Sequence, residues 1–126
     1  MNDDAAAWPT EIRLKSGRQV LVVTWNDGAE SALDAEYLRV QSPSAEVKGH
    51  TPADRKTVGG KRSVTLTGVE PVGNYAVRLT FDDGHSTGIY TYRYLKSLDA
   101  DRERIWADYL GELEAKGLSR DRPGQA

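Results

Sequence analysis

Residues 81–90 read FDDGHSTGIY and place two carboxylates, Asp82 and Asp83, three and two positions before the imidazole of His85. Carboxylates beside an imidazole are the materials of acid–base or metal chemistry. A general base must also reach a substrate proton and be oriented by a partner, and adjacency in sequence supplies neither. In a tight turn, aspartates bond the nearby backbone amides and histidine tolerates unusual dihedrals, so the residue types alone favour a structural role. A site near Asp82, Asp83, His85 and Tyr90 is the enzymatic alternative. No serine sits in a G-x-S-x-G elbow, and neither a Walker loop nor G-x-G-x-x-G occurs. The Gly59-Gly60-Lys61 stretch lacks the spacing and the following hydroxyl residue of a phosphate cradle.

The elements around these residues follow from periodicity and turn chemistry. Thr10–Leu14 alternates and Gln19–Trp25 is a β-branched run ending in Asn-Asp-Gly, the two forming a hairpin around Ser16-Gly17. Ala29–Leu33 is ambiguous, and Asp34–Arg39 offers an N-cap followed by helix formers. Residues 48–62 hold three glycines and a proline among basic side chains and read as a long, solvated loop. Ser63–Val69 and Tyr75–Phe81 form a second hairpin around EPVGN, followed by a short strand through Ile89 and a helix after Tyr90. A last helix over 101–115 lines Ile105, Trp106, Tyr109, Leu110 and Leu113 on one face, and Gly117 ends it. The expected fold class is α+β, with antiparallel hairpins and two or three helices in a single domain.

TWNDGAESALDAEYLR at 24–39 echoes TFDDGHSTGIYTYRYLK at 80–96. Two related hairpin-plus-helix units would produce this pattern, and so would convergent use of Asp-Gly turns. Under either explanation Trp25 and Phe81 belong to the core.

With 126 residues the chain suffices for one core, and 17 basic against 19 acidic side chains make nucleic acid an unfavoured partner. The absence of cysteine removes disulfides and thiolate chemistry. The longest aliphatic run, Val20–Val23, cannot span a bilayer, so a soluble, cytoplasmic protein without a membrane role is expected.

The motifs WNDG, YLRVQSPSAEVKGH and GNYAVRLTFDDGHSTGIYTYRYLKSL resemble the gamma-butyrobetaine hydroxylase-like N-terminal domain, domain-of-unknown-function family 971. The resemblance covers residues 10–98, and the rest of the chain reads as an N-terminal tail at 1–9, an amphipathic helix at 99–117 packed on the domain and a disordered tail at 118–126. Metal-binding members carry a C-x-C-x-x-C cluster that forms a zinc site with the histidine of the DGH motif. The corresponding positions here are Ser42, Ser44, Val47 and His85, so the resemblance implies a lost zinc site. Glu46, His50 and His85 are the residues from which another site could be assembled. His85 is instead expected to hydrogen-bond the Ser42-Pro43-Ser44 segment, with Ser42 as a helix N-cap and Pro43 at the first helical position.

In the dioxygenase relatives the chemistry belongs to a separate catalytic domain, and none follows residue 98 here, so a stand-alone module without enzymatic activity is expected. A related domain fused to ATPases of iron–sulfur assembly implies an accessory role in cofactor handling, although a chain without cysteine holds no conventional cluster. The expected function is a binding or adaptor module with a protein partner and no cofactor of its own. Asp83, His85, Tyr90 and Tyr92 are the candidate binding surface, and a homodimerising structural unit is the alternative.

Overall fold

A computed structural model describes residues 8–44, 47 and 56–121. Strands β1 (Pro9–Lys15), β2 (Val20–Trp25) and β3 (Glu30–Asp34) make one antiparallel sheet in that order, followed by helix α1 (Ala35–Val40). Strands β4 (Leu66–Val72), β5 (Ala76–Phe81) and β6 (Gly88–Thr91) make a second, followed by α2 (Tyr92–Ala100) and α3 (Arg102–Ala115). The α+β class is therefore as expected. The central strand β2, VLVVTW, is a β-branched run buried on both faces, which is why it reads as nearly continuous apolar sequence. The ambiguous piece after Ala29 is strand β3, held in register by β2.

Strand β4 lies three residues later than its alternation suggests, and the turn is Gly73-Asn74-Tyr75 rather than EPVGN. Pro71 sits inside the strand because β4 is a sheet edge, where a missing amide leaves no ladder bond broken in the interior. Gly73, at φ +55°, makes the turn, and a Cβ there would meet the Tyr75 ring at 3.0 Å.

The echo between the halves extends to individual hydrogen bonds. Trp25 N–H donates to Ala29 O (2.8 Å) and Phe81 N–H to His85 O (2.9 Å). Ala29 N–H donates to Asp27 Oδ1 (2.9 Å) and His85 N–H to Asp83 Oδ1 (3.0 Å). Gly28 and Gly84 share a left-handed φ, +89° and +91°. Asn26 exchanges two bonds with Trp8 as Asp82 does with Thr65. Each outer hairpin also breaks register at the same place, between Pro9 and Glu11 and between Leu66 and Gly68. The helices are tied reciprocally, the Tyr37 hydroxyl donating to Leu98 O (2.6 Å) and the Tyr94 hydroxyl to Gln41 O (2.5 Å). Turn chemistry can converge locally, but it does not produce reciprocal bonds between helices. The domain is two βββα units in an isologous arrangement, like the subunits of a two-fold dimer.

Their shared core joins Leu21, Val23, Trp25, Leu33 and Leu38 of the first unit to Leu66, Leu79, Phe81, Tyr90, Leu95 and Leu98 of the second. Burying each such side chain contributes about 1.5–3 kcal/mol. A smaller cluster of Val40, Tyr109 and Leu113 holds α3, with Trp106 partly buried between the two. Gly117, at φ +68°, ends α3 in a Schellman arrangement, Leu118 N–H reaching Leu113 O (2.8 Å) and Gly117 N–H reaching Glu114 O (3.2 Å).

Two expectations are corrected. Leu110 is 40% exposed rather than part of the packed face. Residues 118–121, expected to be disordered, pack on the domain: Gly60 N–H donates to Ser119 O (2.8 Å), Arg62 N–H to Arg120 O (3.0 Å), and Arg62 pairs with Asp121. Gly59 permits this approach, since a Cβ there would lie 2.7 Å from Ser119 O.

Candidate functional site

The DDGH turn arises where β5 ends at Phe81 and the chain reverses into β6. Its two aspartates diverge. Asp82 accepts from the Thr65 amide (3.1 Å), while Asp83 Oδ2 accepts from both Arg39 Nε (2.7 Å) and Lys61 Nζ (2.6 Å). Burial alone would raise the Asp83 carboxyl, but Lys61, the His85 amide and Arg39 outweigh it and hold its pKa at about 2. Lys61, expected in a solvated loop, is thus part of an ion-pair network with α1, a role that its sequence neighbourhood did not signal.

His85 is 7% exposed, and its Nε2 lies 2.8 Å from Ser42 Oγ. Ser42 Oγ also accepts from the Ser44 amide (3.3 Å), and Ser44 Oγ lies 2.7 Å from Thr87 Oγ1. Gly88 makes room for this crossing, because a Cβ at that position would approach Ser42 Oγ to 2.6 Å. Pro43 and Ser44 are not helical, so Ser42 is not the N-cap of a helix starting at Pro43; its hydroxyl closes a local turn and meets His85 instead.

The candidate binding residues do not form a surface. Tyr90 is wholly buried, its hydroxyl donates to Leu38 O (2.5 Å), and burial pushes its pKa above the ordinary phenol value. Tyr92 lies beside Val69, Pro71, Val77 and Ile12 in a separate shallow depression. Asp83 is occupied by two cations and His85 is enclosed. Among the described residues, the side chains of Asp82, Asp83, His85 and Tyr90 are each engaged with a different partner.

The positions at which the resemblance would place zinc ligands do not fit the metal. Two are neutral hydroxyls engaged with His85 and Thr87, and the third is the buried aliphatic side chain of Val47. Among the described residues, no group of three or more His, Asp or Glu side chains is placed to hold an ion. Glu46 and His50 lie outside the described residues.

The first unit has a different corner at the matching place. Trp25 Nε1 donates to Ser31 Oγ (2.9 Å), Ser31 Oγ donates to Asp99 Oδ2 (2.8 Å), and Lys96 Nζ stands 5.1 Å from the Trp25 ring.

An open surface lies between the start of α1 and the exposed face of α3. Tyr37, Trp106, Ala107 and Leu110 line a groove of about 440 Å³, with Asp34, Glu36, Arg102, Glu103 and Arg120 around them. Arg120 makes a fork with the buried Glu36 carboxylate (2.7 and 2.8 Å), and its guanidinium stands 5.2 Å from the Trp106 ring. Glu36 raises the Arg120 pKa further. Burial pushes the Tyr37 hydroxyl to about 12. This groove was not foreseen, since the spacing of α3 placed Leu110 on its packed face.

The model of the family described as gamma-butyrobetaine hydroxylase-like, N-terminal, matches residues 12–96. The chain belongs to this family. A crystal structure of a family-971 protein of unknown function from Acidithiobacillus ferrooxidans is 46% identical, with a TM-score of 0.61, over 73% of this chain and 92% of its own. Two NMR solution structures are similar over nearly the whole length. One is 44% identical with a TM-score of 0.78, covering 94% of this chain and 93% of that one. The other is 36% identical with a TM-score of 0.80, covering 100% and 97%. No functionally curated protein matches the chain. The family is thus one of unknown function, and among the described residues no helix is long and apolar enough to cross a membrane.

Proposed function

We propose that this family member is a non-enzymatic, cytoplasmic adaptor that binds a protein partner through the groove between α1 and α3. The observation that carries this reading is the open apolar wall of Trp106, Ala107 and Leu110, set against an enclosed DDGH turn whose titratable groups are already engaged. Partner surfaces are typically built from exposed aromatic and aliphatic side chains with a charged rim. Family resemblance supports an accessory role in handling metal or iron–sulfur cofactors. In this chain that role would run through protein contact, since it has no cysteine to hold a cluster.

Leu110→Glu places a charge on the wall without disturbing the core, because Leu110 is already exposed. The test is capture from the source cell with the wild-type chain and with Leu110→Glu at equal thermal stability, followed by reconstitution with the purified partner. A partner held by the wild type and lost by the variant is expected. Equal retention by both would remove the groove from the reading. A concentration-dependent dimer that Leu110→Glu abolishes in sedimentation velocity would make the domain a homodimerising unit instead.

A further inference from the structure

The charges around the groove differ in whether they are already matched. Glu36 and Arg120 neutralise each other in a two-bonded fork, and Arg102 is paired with Asp99 (3.4 Å). Asp34, at the N-cap of α1, makes no capping bond, and Glu103 lies in the first turn of α3. Among the described residues neither carboxylate has a counter-ion, and both line the groove. The mouth therefore carries two unmatched negative charges beside an apolar floor.

The rings that border the groove are already covered, Arg120 lying over Trp106 and Arg102 over Tyr37 at 5.9 Å, so a partner's cations would be drawn to Asp34 and Glu103 rather than to the aromatics. On α3, Ala107 and Leu110 share this face, and beside them Gly111 has open space around the Cβ it lacks. A helix could approach closely there, and its apolar side chains would meet Leu110 and Trp106 before its flanks reached Asp34 and Glu103.

We infer that the occupant of the groove is an amphipathic helical segment of the partner that carries lysine or arginine beside its apolar face. This rests on the adaptor reading above and adds the chemistry of the partner to it. Asp34 and Glu103 select the basic flanks, and Trp106, Ala107 and Leu110 take the apolar side chains. Attraction between such exposed charges weakens as salt rises.

The experiment uses three synthetic helical peptides with one Leu/Ala face and lysine, glutamine or glutamate at the flanking positions. Each is titrated into the isotope-labelled full chain while NMR follows the Trp106 indole N–H and the amides of 103–110. The lysine peptide is expected to shift these signals saturably and to bind at least ~2-fold more tightly than the glutamine peptide, a difference that exposed ion pairs allow. The glutamate peptide should bind weakest, and added salt should erase the difference. The double variant Asp34→Asn with Glu103→Gln should lose the preference for lysine while keeping its affinity for glutamine; asparagine remains a good N-cap, so α1 is retained. Equal binding of all three peptides, or shifts away from the groove, overturns the inference. If no peptide binds, the inference also falls. The adaptor reading survives that result as long as Leu110→Glu still abolishes capture of the partner, and it fails separately if capture is unaffected.

Discussion

The two βββα units share one backbone plan and differ in what fills the corner below each Asp-Gly turn. In the first unit, Trp25 reaches across to Ser31, and Ser31 to Asp99. In the second, Phe81 takes the tryptophan's place and offers no donor, and the polar contact moves to His85 and Ser42. Each corner ties its turn to the C-terminal end of the other unit's helix, at Asp99 in the last turn of α2 in one case and at Ser42, two residues past α1, in the other. The backbone ladder thus preserves the relation between the halves, while the side-chain bond that secures it is interchangeable. The segments that carry Ser42 and His85 stay adjacent through one such bond. A hydroxyl and an imidazole are enough to join them.

The comparison breaks most severely at its apolar centres. Trp25→Ala and Phe81→Ala should each cost about 3–5 kcal/mol in urea unfolding, because both side chains are fully buried in one shared core. A loss below ~1 kcal/mol at either position would show that the two units are not equivalent supports. The polar corners rank next. Ser31→Ala leaves Trp25 Nε1 and Asp99 without their shared partner, and His85→Ala leaves Ser42 without the imidazole; each should cost about 1–3 kcal/mol. Thermal unfolding checks both. If His85→Ala kept full stability yet abolished partner binding, His85 would belong to function and the structural equivalence of the corners would fail.

The smallest effect is in acid. Lys61, the His85 amide and Arg39 hold the folded-state pKa of Asp83 at about 2, below its ordinary 3.8. A carboxyl with a depressed folded-state pKa stabilises the native state above the unfolded value, and that contribution is lost as pH falls through the folded one. The stability difference between wild type and Asp83→Asn should therefore be present above pH 4 and close as pH falls towards 2. It should be small, since partly exposed ion pairs are screened by solvent. A gap that is unchanged down to pH 2 would mean that Asp83 acts through shape alone.

What could be read in the sequence was local. The β-branched run VLVVTW, the Asp-Gly turns and Gly117 each act within a few residues, and the elements they foretell are present. The limit appears where a partner is distant. Glu36 lies in a short, mostly buried helix and gives no local sign that Arg120 neutralises it, so the segment after Gly117 read as a polar tail. Pro71 and the glycine at 73 favoured a turn at EPVGN, and only the edge position of β4 admits proline into the strand. At the candidate site, the contact of His85 with the segment at Ser42 came from the family resemblance, whereas the burial of Tyr90 and the divergence of Tyr92 depend on which faces the second sheet covers.

The reciprocal tyrosine bonds also bear on how the chain reaches this state. Tyr37 and Leu98 are 61 residues apart, and Tyr94 and Gln41 are 53 apart, so each helix gains its tie only after a large loop has closed. Loop closure costs entropy before such contacts repay it, and a topology rich in distant contacts folds slowly for its size. Neither half can complete its helix end by itself. A chain divided between α1 and β4 should therefore yield two fragments that are poorly structured apart and recover the fold by complementing one another when mixed, with Tyr37 and Tyr94 serving as the hooks of an intermolecular handshake.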